Sequence, residues 1–497
     1  MDGRIGNVRE EKRSTFKQII FGLTAYFTTI APSMSLGYSA VALPGLTDPK
    51  SMYFLDKDQS SWFVSIATIS TPIGCFLSGP ISDKFGRKVS LLTVNVVTFI
   101  GWVIITLAPN FPNSFYSVLL IGRVITGLST GLASMPAAVY MAEISSPKLR
   151  GMFTTASAIF FSLGILVVYF LGFLMPSNWS KISLITSIFP VISMTITTFF
   201  LPESPQWLIA KNMDLEAKKN LTKIFGLGET TGLVQDEILA LIGNRDQNLA
   251  RNPNNKKSSF LRSVLKKIRH FQKPACYKPF VIVLSYFFFL QFSGTFVIIF
   301  YAIDIVKEAG VISTDPYLII VLIASTRLAG AILISSISKK LGHRPPSIIS
   351  GVGMTLCMIT LFIYLYLIHL GIIGDDLKTK LSWLPIFLLV FYFFTTTLGF
   401  LTVPFAMAAE VFPTKIRGLA TGLVTCLAYG FNFIILKSYP TMLKSMGNYG
   451  VFCFYGVMSF IGTIFIITCL PETKGKTLSE IEEYFSGRRG SNRIDKS

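Results

Sequence analysis

The chain has 497 residues, 51% of them hydrophobic and only 14% charged, with 43 Phe, 38 Gly and a net charge of +19. That balance excludes an ordinary soluble globular domain and points to lipid as the solvent. In such a chain the positive charge reads as a cytoplasmic bias facing anionic lipid, not as a nucleic-acid surface.

A hydrocarbon core about 30 Å thick is crossed by about 20 apolar residues at helical rise. The first sixteen residues, MDGRIGNVREEKRSTF, are polar and are followed by no small-residue cleavage site, so 1–16 is expected to stay as a tail. Six apolar runs follow near 17–38, 59–79, 89–108, 114–138, 153–174 and 182–201. A polar segment, 202–277, then interrupts the pattern. Within it DLEAKKNLTKIFG, VQDEILALIG and SFLRSVLKKIRHF show apolar residues at helical spacing. Six more runs lie near 278–302, 316–337, 347–370, 384–407, 418–438 and 447–470, and 471–497 forms a second tail. The expected fold is all-α: twelve membrane-spanning helices in two six-helix bundles, 17–201 and 278–470, with a small cytoplasmic helical subdomain between them.

Of the 45 Lys and Arg, 35 fall in the two tails, the central segment and the loops that share their side, while the opposite loops hold eight Lys and no Arg. Both tails and the central segment are therefore assigned to the cytoplasm. The two remaining cations, Arg123 and Arg327, fall inside spans. Asn178, in the sequon NWS, falls in a short outer loop; Asn220, in NLT, falls on the cytoplasmic side. The six Cys lie mostly inside spans without metal-like spacing, which argues against a disulfide framework or a zinc site.

Three short sequences occur twice. AEISSPKLRG (142–151) pairs with AEVFPTKIRG (409–418), GPISDKFGRK (79–88) with SSISKKLGHR (335–344), and LPESPQWL (from 201) with LPETKGKT (from 470). Each pair is roughly 260 residues apart and occupies the same inter-helix position in its half, which indicates duplication of a six-helix unit. Asp83, Arg87, Glu143 and Arg150 sit at cytoplasmic helix ends, with Glu410 and Arg417 as the second copy of the last two. Carboxylate–guanidinium pairs there are expected to act as gates that hold without full burial.

These motifs, together with GRVITG at 122–127, resemble those of the major facilitator superfamily and, within it, the sugar porter family. LQFSGTFVIIFYAIDIV (290–306) and LGYSAVALPGL (36–46) resemble the insect group of facilitated trehalose transporters. The resemblance implies a rocker-switch carrier with its substrate held between the halves. It also implies substrate-binding residues: Gln291, Ser293, Gly294 and Tyr301 in the seventh span match the family pattern QQxSGxNxxxYY, whereas Leu290 and Phe296 depart from it. In the tenth span Phe405 stands where Trp is usual and Thr397 where an acid is usual; in the eleventh Asn432 is kept, with Tyr429 upstream; in the eighth Arg327 replaces an Asn. Arg123 belongs to the family's GR motif, and C-terminal carbonyls of a neighbouring broken helix are its expected acceptors.

None of the 26 Asp and Glu falls in the middle of a span, and Ser39 occupies the first-span position that resembles the proton-coupling acid of symporters. The expectation is facilitated diffusion, uniport of a sugar such as trehalose or a hexose, in the cell membrane. Arg327 opens an alternative, the carriage of a small organic anion, and the thinned pocket a further one, a sugar receptor that does not transport. No nucleophile, base and orienting group recur at a recognisable spacing, so an enzyme is not expected. The expected partners are a small-molecule sugar and membrane lipid, with no cofactor, no metal and no nucleic acid, and the chain is expected to act as a monomer.

Overall fold

The computed structural model describes residues 2–145, 147–228, 231–251, 274–309, 311, 314–412, 417–472 and 485. Side chains are described for these residues except 2–11, 147–155, 233, 244, 247–251, 275, 338–340, 375, 409–410 and 417–419. The third amphipathic segment expected in the central loop, SFLRSVLKKIRHF, lies outside the described residues.

Every regular element among the described residues is helical. The first half contains α1 (Asp2–Phe27), α2 (Ile30–Leu46), α3 (Lys57–Phe85), α4 (Arg87–Leu107), α5 (Phe115–Leu132), α6 (Pro136–Ile144), α7 (Pro147–Leu174), α8 (Trp179–Thr186) and α9 (Ile188–Phe200). Three helices of the central segment follow: α10 (Pro205–Ala210), α11 (Asp214–Phe225) and α12 (Gly232–Arg251). The second half contains α13 (Pro274–Phe292), α14 (Thr295–Phe300), α15 (Ala302–Glu308), α16 (Pro316–Leu341), α17 (Arg344–His369), a short α18 (Asp375–Lys380), α19 (Trp383–Leu398), α20 (Val403–Glu410) and α21 (Arg417–Cys469). Ten of the helical stretches are long and apolar enough to cross a membrane. The last of them bends at Gly447 and holds two spans, and Cys276–Phe292, continued by α14 and α15, supplies one more, giving the twelve that the sequence predicts.

The helices are amphipathic in the sense that lipid demands. On α4 the inward side carries Ser90, Asn95, Thr98 and Gly101, while Val89, Val96, Phe99 and Ile100 are exposed. On α17 Ser347, Ser350 and Gly351 are buried, and Ile349, Val352, Leu356 and Ile363 face out. Lipid tails are as apolar as Leu, so helix association here comes from small and polar side chains that let backbones approach and hydrogen-bond.

Several spans expected as single helices are broken. The first divides at Thr28 and Thr29, the fourth between Leu132 and Pro136, the seventh at Gly294 and again at Tyr301, and the tenth between Leu398 and Val403; the sixth also steps at Ser187. Proline explains most of these positions, because it lacks the amide that continues a helix but fits the first turn of a new one. Pro32, Pro136, Pro190 and Pro404 each lie in the first turn of the restarted segment. The seventh span uses glycine instead, with Gly294 left-handed at φ 89°.

The chain divides into two compact units. One comprises Met1–Ser35, Ile73–Gly164 and Ser180–Ser258; the other comprises Leu36–Pro72, Ile165–Trp179 and Ser259–Ser497. This division does not coincide with the two six-helix halves, because the outer parts of the first, second and fifth spans belong to the same unit as the second half. Inside that second unit, Tyr169 donates to the carbonyl of Ile299 at 2.6 Å and Lys437 pairs with Asp58 at 2.8 Å. The Lys437 ammonium also lies 4.4 Å from the centre of the Trp62 ring.

In the first unit, α10 to α12 form a small cluster built on Leu208, Ile209 and Ala217, with Trp207, Ile238, Leu241 and Ile242 packed against it. Arg245 of α12 pairs with Asp214 of α11 at 2.9 Å. The two amphipathic segments described here pack on each other, as a helical subdomain requires.

Candidate functional site

The seventh span is held open by a relay of hydroxyls. Ser293 donates to the carbonyl of Leu290 at 2.8 Å and lies 3.0 Å from the hydroxyl of Thr295, which is 3.0 Å from that of Tyr392. Tyr392 in turn donates to the carbonyl of Ser293 at 2.9 Å. These bonds supply partners for backbone and side-chain groups that the break would leave unmet in an apolar medium. Only glycine fits at 294: φ is positive, and a Cβ would lie 2.5 Å from the ring of Tyr455. Ser293 and Gly294, named from the sequence as substrate-binding, thus shape the break itself.

One turn before the break, the sequence-named amides meet. Asn432 of α21 donates through Nδ2 to Oε1 of Gln291 at 2.9 Å; both residues are buried, and the Asn432 Oδ1 has no partner among the described residues. Further along, Tyr301 donates to the carbonyl of Leu436 at 3.4 Å and its ring lies 4.7 Å from that of Tyr439. Thr397 is buried and gives its hydroxyl to the carbonyl of Phe393. Phe405 is 40% exposed and meets Phe287 edge-on at 4.9 Å. Tyr429 is half-buried on α21, three residues before Asn432.

The two intramembrane cations differ. Arg123 is fully buried, and its Nη1 donates to both the carbonyl and the hydroxyl of Ser35, at 3.0 and 3.1 Å. These two acceptors lie inside α2, in the second part of the broken first span. Arg327 on α16 is 5% exposed, and its Nε and Nη1 have no hydrogen-bond partner among the described residues.

Where α3 meets α4 in the first unit, Arg87 gathers the named charges. Its Nε and Nη2 reach the Glu143 carboxylate at 3.0 and 2.6 Å, and its Nη1 reaches the Asp83 carboxylate at 3.2 Å and the carbonyl of Ser82 at 2.8 Å. Ser204 donates a short hydrogen bond to Glu143. The side chains of Arg150, Glu410 and Arg417 lie outside the described residues.

Two glutamates not named among the expected site residues cap helices, one in each unit. Glu203, from LPES, accepts the backbone N–H of Arg87 at 2.8 Å and that of Lys88 at 3.2 Å, capping the start of α4. Burial raises the pKa of its carboxyl, opposed by the backbone donors of Ser204, Arg87 and Lys88. Glu472, from LPET in the second unit, accepts the N–H of His343 and of Arg344, both at 3.3 Å, at the start of α17. Each cap sits against a left-handed glycine, Gly86 at φ 102° and Gly342 at φ 77°, whose missing Cβ leaves room for the carboxylate. The signal was present in the sequence as the repeated LPE tripeptide, but nothing there linked it to the glycine turn.

A family model described as "Sugar (and other) transporter" matches residues 18–485. The chain belongs to the sugar transporter family. It is 29% identical over 477 residues to a facilitated trehalose transporter Tret1 of Culex quinquefasciatus, covering 96% of this chain and 87% of that one. A Tret1-2 homolog of Drosophila sechellia is 30% identical over 476 residues, covering 95% and 92%. The inward-open structure of the xylose transporter XylE from E. coli superposes with a TM-score of 0.73 at 21% identity, over 94% of this chain and 99% of that one. The partially occluded inward-open form of XylE gives 0.72 at 21% identity, over 93% and 99%. The fold is that of the major facilitator superfamily, and as a sugar transporter family member the chain is a multi-pass membrane protein.

Proposed function

We propose that this protein is a facilitative carrier that moves a sugar down its gradient by alternating access. The observation that carries the reading is the buried Gln291–Asn432 pair beside the broken seventh span, with the Asn432 oxygen left as an unpaired acceptor. Buried amides offer both donors and acceptors to hydroxyls, and a helix interrupted at mid-membrane can separate without tearing a continuous hydrogen-bond ladder. The family supports the substrate class, and the trehalose transporters among the relatives make trehalose the first sugar to test, followed by hexoses.

The charge distribution supports uniport. Ser39, in α2, is buried and neutral, and Asp304 is placed in α15 at the outer end of the seventh span. A proton relay through the membrane needs a titratable group at depth, and the spans supply no carboxylate there. Counterflow of labelled trehalose and glucose in proteoliposomes tests the reading. Exchange that saturates and shows no accumulation under an inward pH gradient is expected; uphill accumulation driven by the gradient would overturn uniport, and absence of exchange for every sugar would overturn the carrier. Gln291→Ala and Asn432→Ala are expected to raise the half-saturating sugar concentration by about tenfold, the scale of one lost hydrogen bond to a buried group.

A further inference from the structure

Arg327 lies eleven residues after the start of α16, about 16 Å along its axis at helical rise, and fourteen residues before its end. A side chain at that depth does not reach either interface, so snorkelling does not explain it. A guanidinium keeps its proton in proteins and must be met by acceptors. The chain shows what a structural solution looks like, because Arg123, equally buried, is bound by the carbonyl and hydroxyl of Ser35. Among the described residues Arg327 has no such arrangement at Nε or Nη1. Its own helix carries no Asp or Glu, and neither does α19, which packs on it through Gly330 and Thr397. Thr397 donates its hydroxyl to the carbonyl of Phe393, and Tyr169 donates its own to the carbonyl of Ile299. Each of these two nitrogens is a charged N–H donor of the kind that a carboxylate oxygen accepts from strongly.

We propose that the solute carried is a hydroxylated carboxylate, a sugar acid, whose negative charge is met in the membrane by Arg327. This rests on the carrier reading above and narrows its substrate class: the amides of Gln291 and Asn432 serve hydroxyls, and Arg327 serves the acid group. Uniport of an anion moves one charge per cycle, so transport is electrogenic. An inside-positive potential of 100 mV then accumulates the solute about 50-fold, whereas a neutral sugar is indifferent to potential.

The test compares D-glucuronate with D-glucose in proteoliposomes of the full-length protein under a potassium-valinomycin potential, using wild type, Arg327→Gln and Arg327→Lys. Wild type is expected to exchange glucuronate at least tenfold faster than glucose and to accumulate it with inside-positive potential. Arg327→Gln is expected to reduce the glucuronate-to-glucose ratio by at least tenfold, and Arg327→Lys to recover part of it. Exclusion of glucuronate by wild type that exchanges glucose, or an unchanged ratio in Arg327→Gln, overturns the proposal while leaving the carrier reading intact. If neither solute is exchanged, the carrier reading falls; a rise in Tm with glucuronate, present in wild type and lost in Arg327→Gln, would still uphold the anion site, and its absence in wild type would overturn that too.

Discussion

At the scale of single residues, the paired glutamates make the sharpest predictions. Removing the Glu203 carboxylate leaves the first N–H groups of α4 unmet, so Glu203→Ala is expected to cost about 1–2 kcal/mol, the range for loss of a helix cap. Thermal unfolding in detergent should show the loss as a fall in Tm, with Glu472→Ala giving a similar fall in the second half. Gly86→Ala introduces a Cβ at φ 102° against the same carboxylate, and about 1–3 kcal/mol of backbone strain is expected before the clash is counted. If Gly86→Ala unfolds at the wild-type temperature, the cap described here is wrong. Of the residues singled out from sequence, Gln291 and Asn432 were legible through the family pattern they match in the seventh and eleventh spans. That they would partner each other was not legible, because 141 residues separate them and hydropathy carries no information across the bundle.

At the scale of elements, the end of α3, the start of α4 and the end of α6 are joined to the segment before α10 through Arg87, Glu143 and Ser204. The Arg87 and Glu143 side chains are only 11% and 12% exposed, so breaking the pair strands a charge that water reaches poorly. Arg87→Ala and Glu143→Ala should each lower Tm by several degrees, and the double variant should be little worse than the poorer single one, giving a coupling of about 1–3 kcal/mol. Additive losses would show that the two groups act separately. The existence and number of spans could be read from runs of apolar residues, because crossing a membrane leaves few alternatives. Where those spans break could be read only in retrospect. Pro32, Pro136 and Pro404 mark restarts, yet other prolines such as Pro44 and Pro279 sit inside continuous helices, and the choice depends on whether neighbouring groups take up the freed carbonyl. At Gly294 that role belongs to Tyr392, a residue from a span ninety-odd positions away.

At the scale of the molecule, the second unit joins outer segments of the first half to the second half by contacts that are weak one at a time. Asp58 is 79% exposed, and an ion pair of that kind is worth at most about 1 kcal/mol. Contacts of this size suit a closure that must open in every cycle. A cysteine pair at 58 and 437 is therefore expected to arrest counterflow under oxidation, with reductant restoring it; unimpaired exchange by the cross-linked protein would show that these segments do not part during transport. The twin carboxylate caps carry an implication about history. A device found at the same place in both halves, down to its left-handed glycine, is what duplication of a six-helix unit would leave behind. The pairing of LPE with its glycine turn would then be older than any substrate the modern protein recognises.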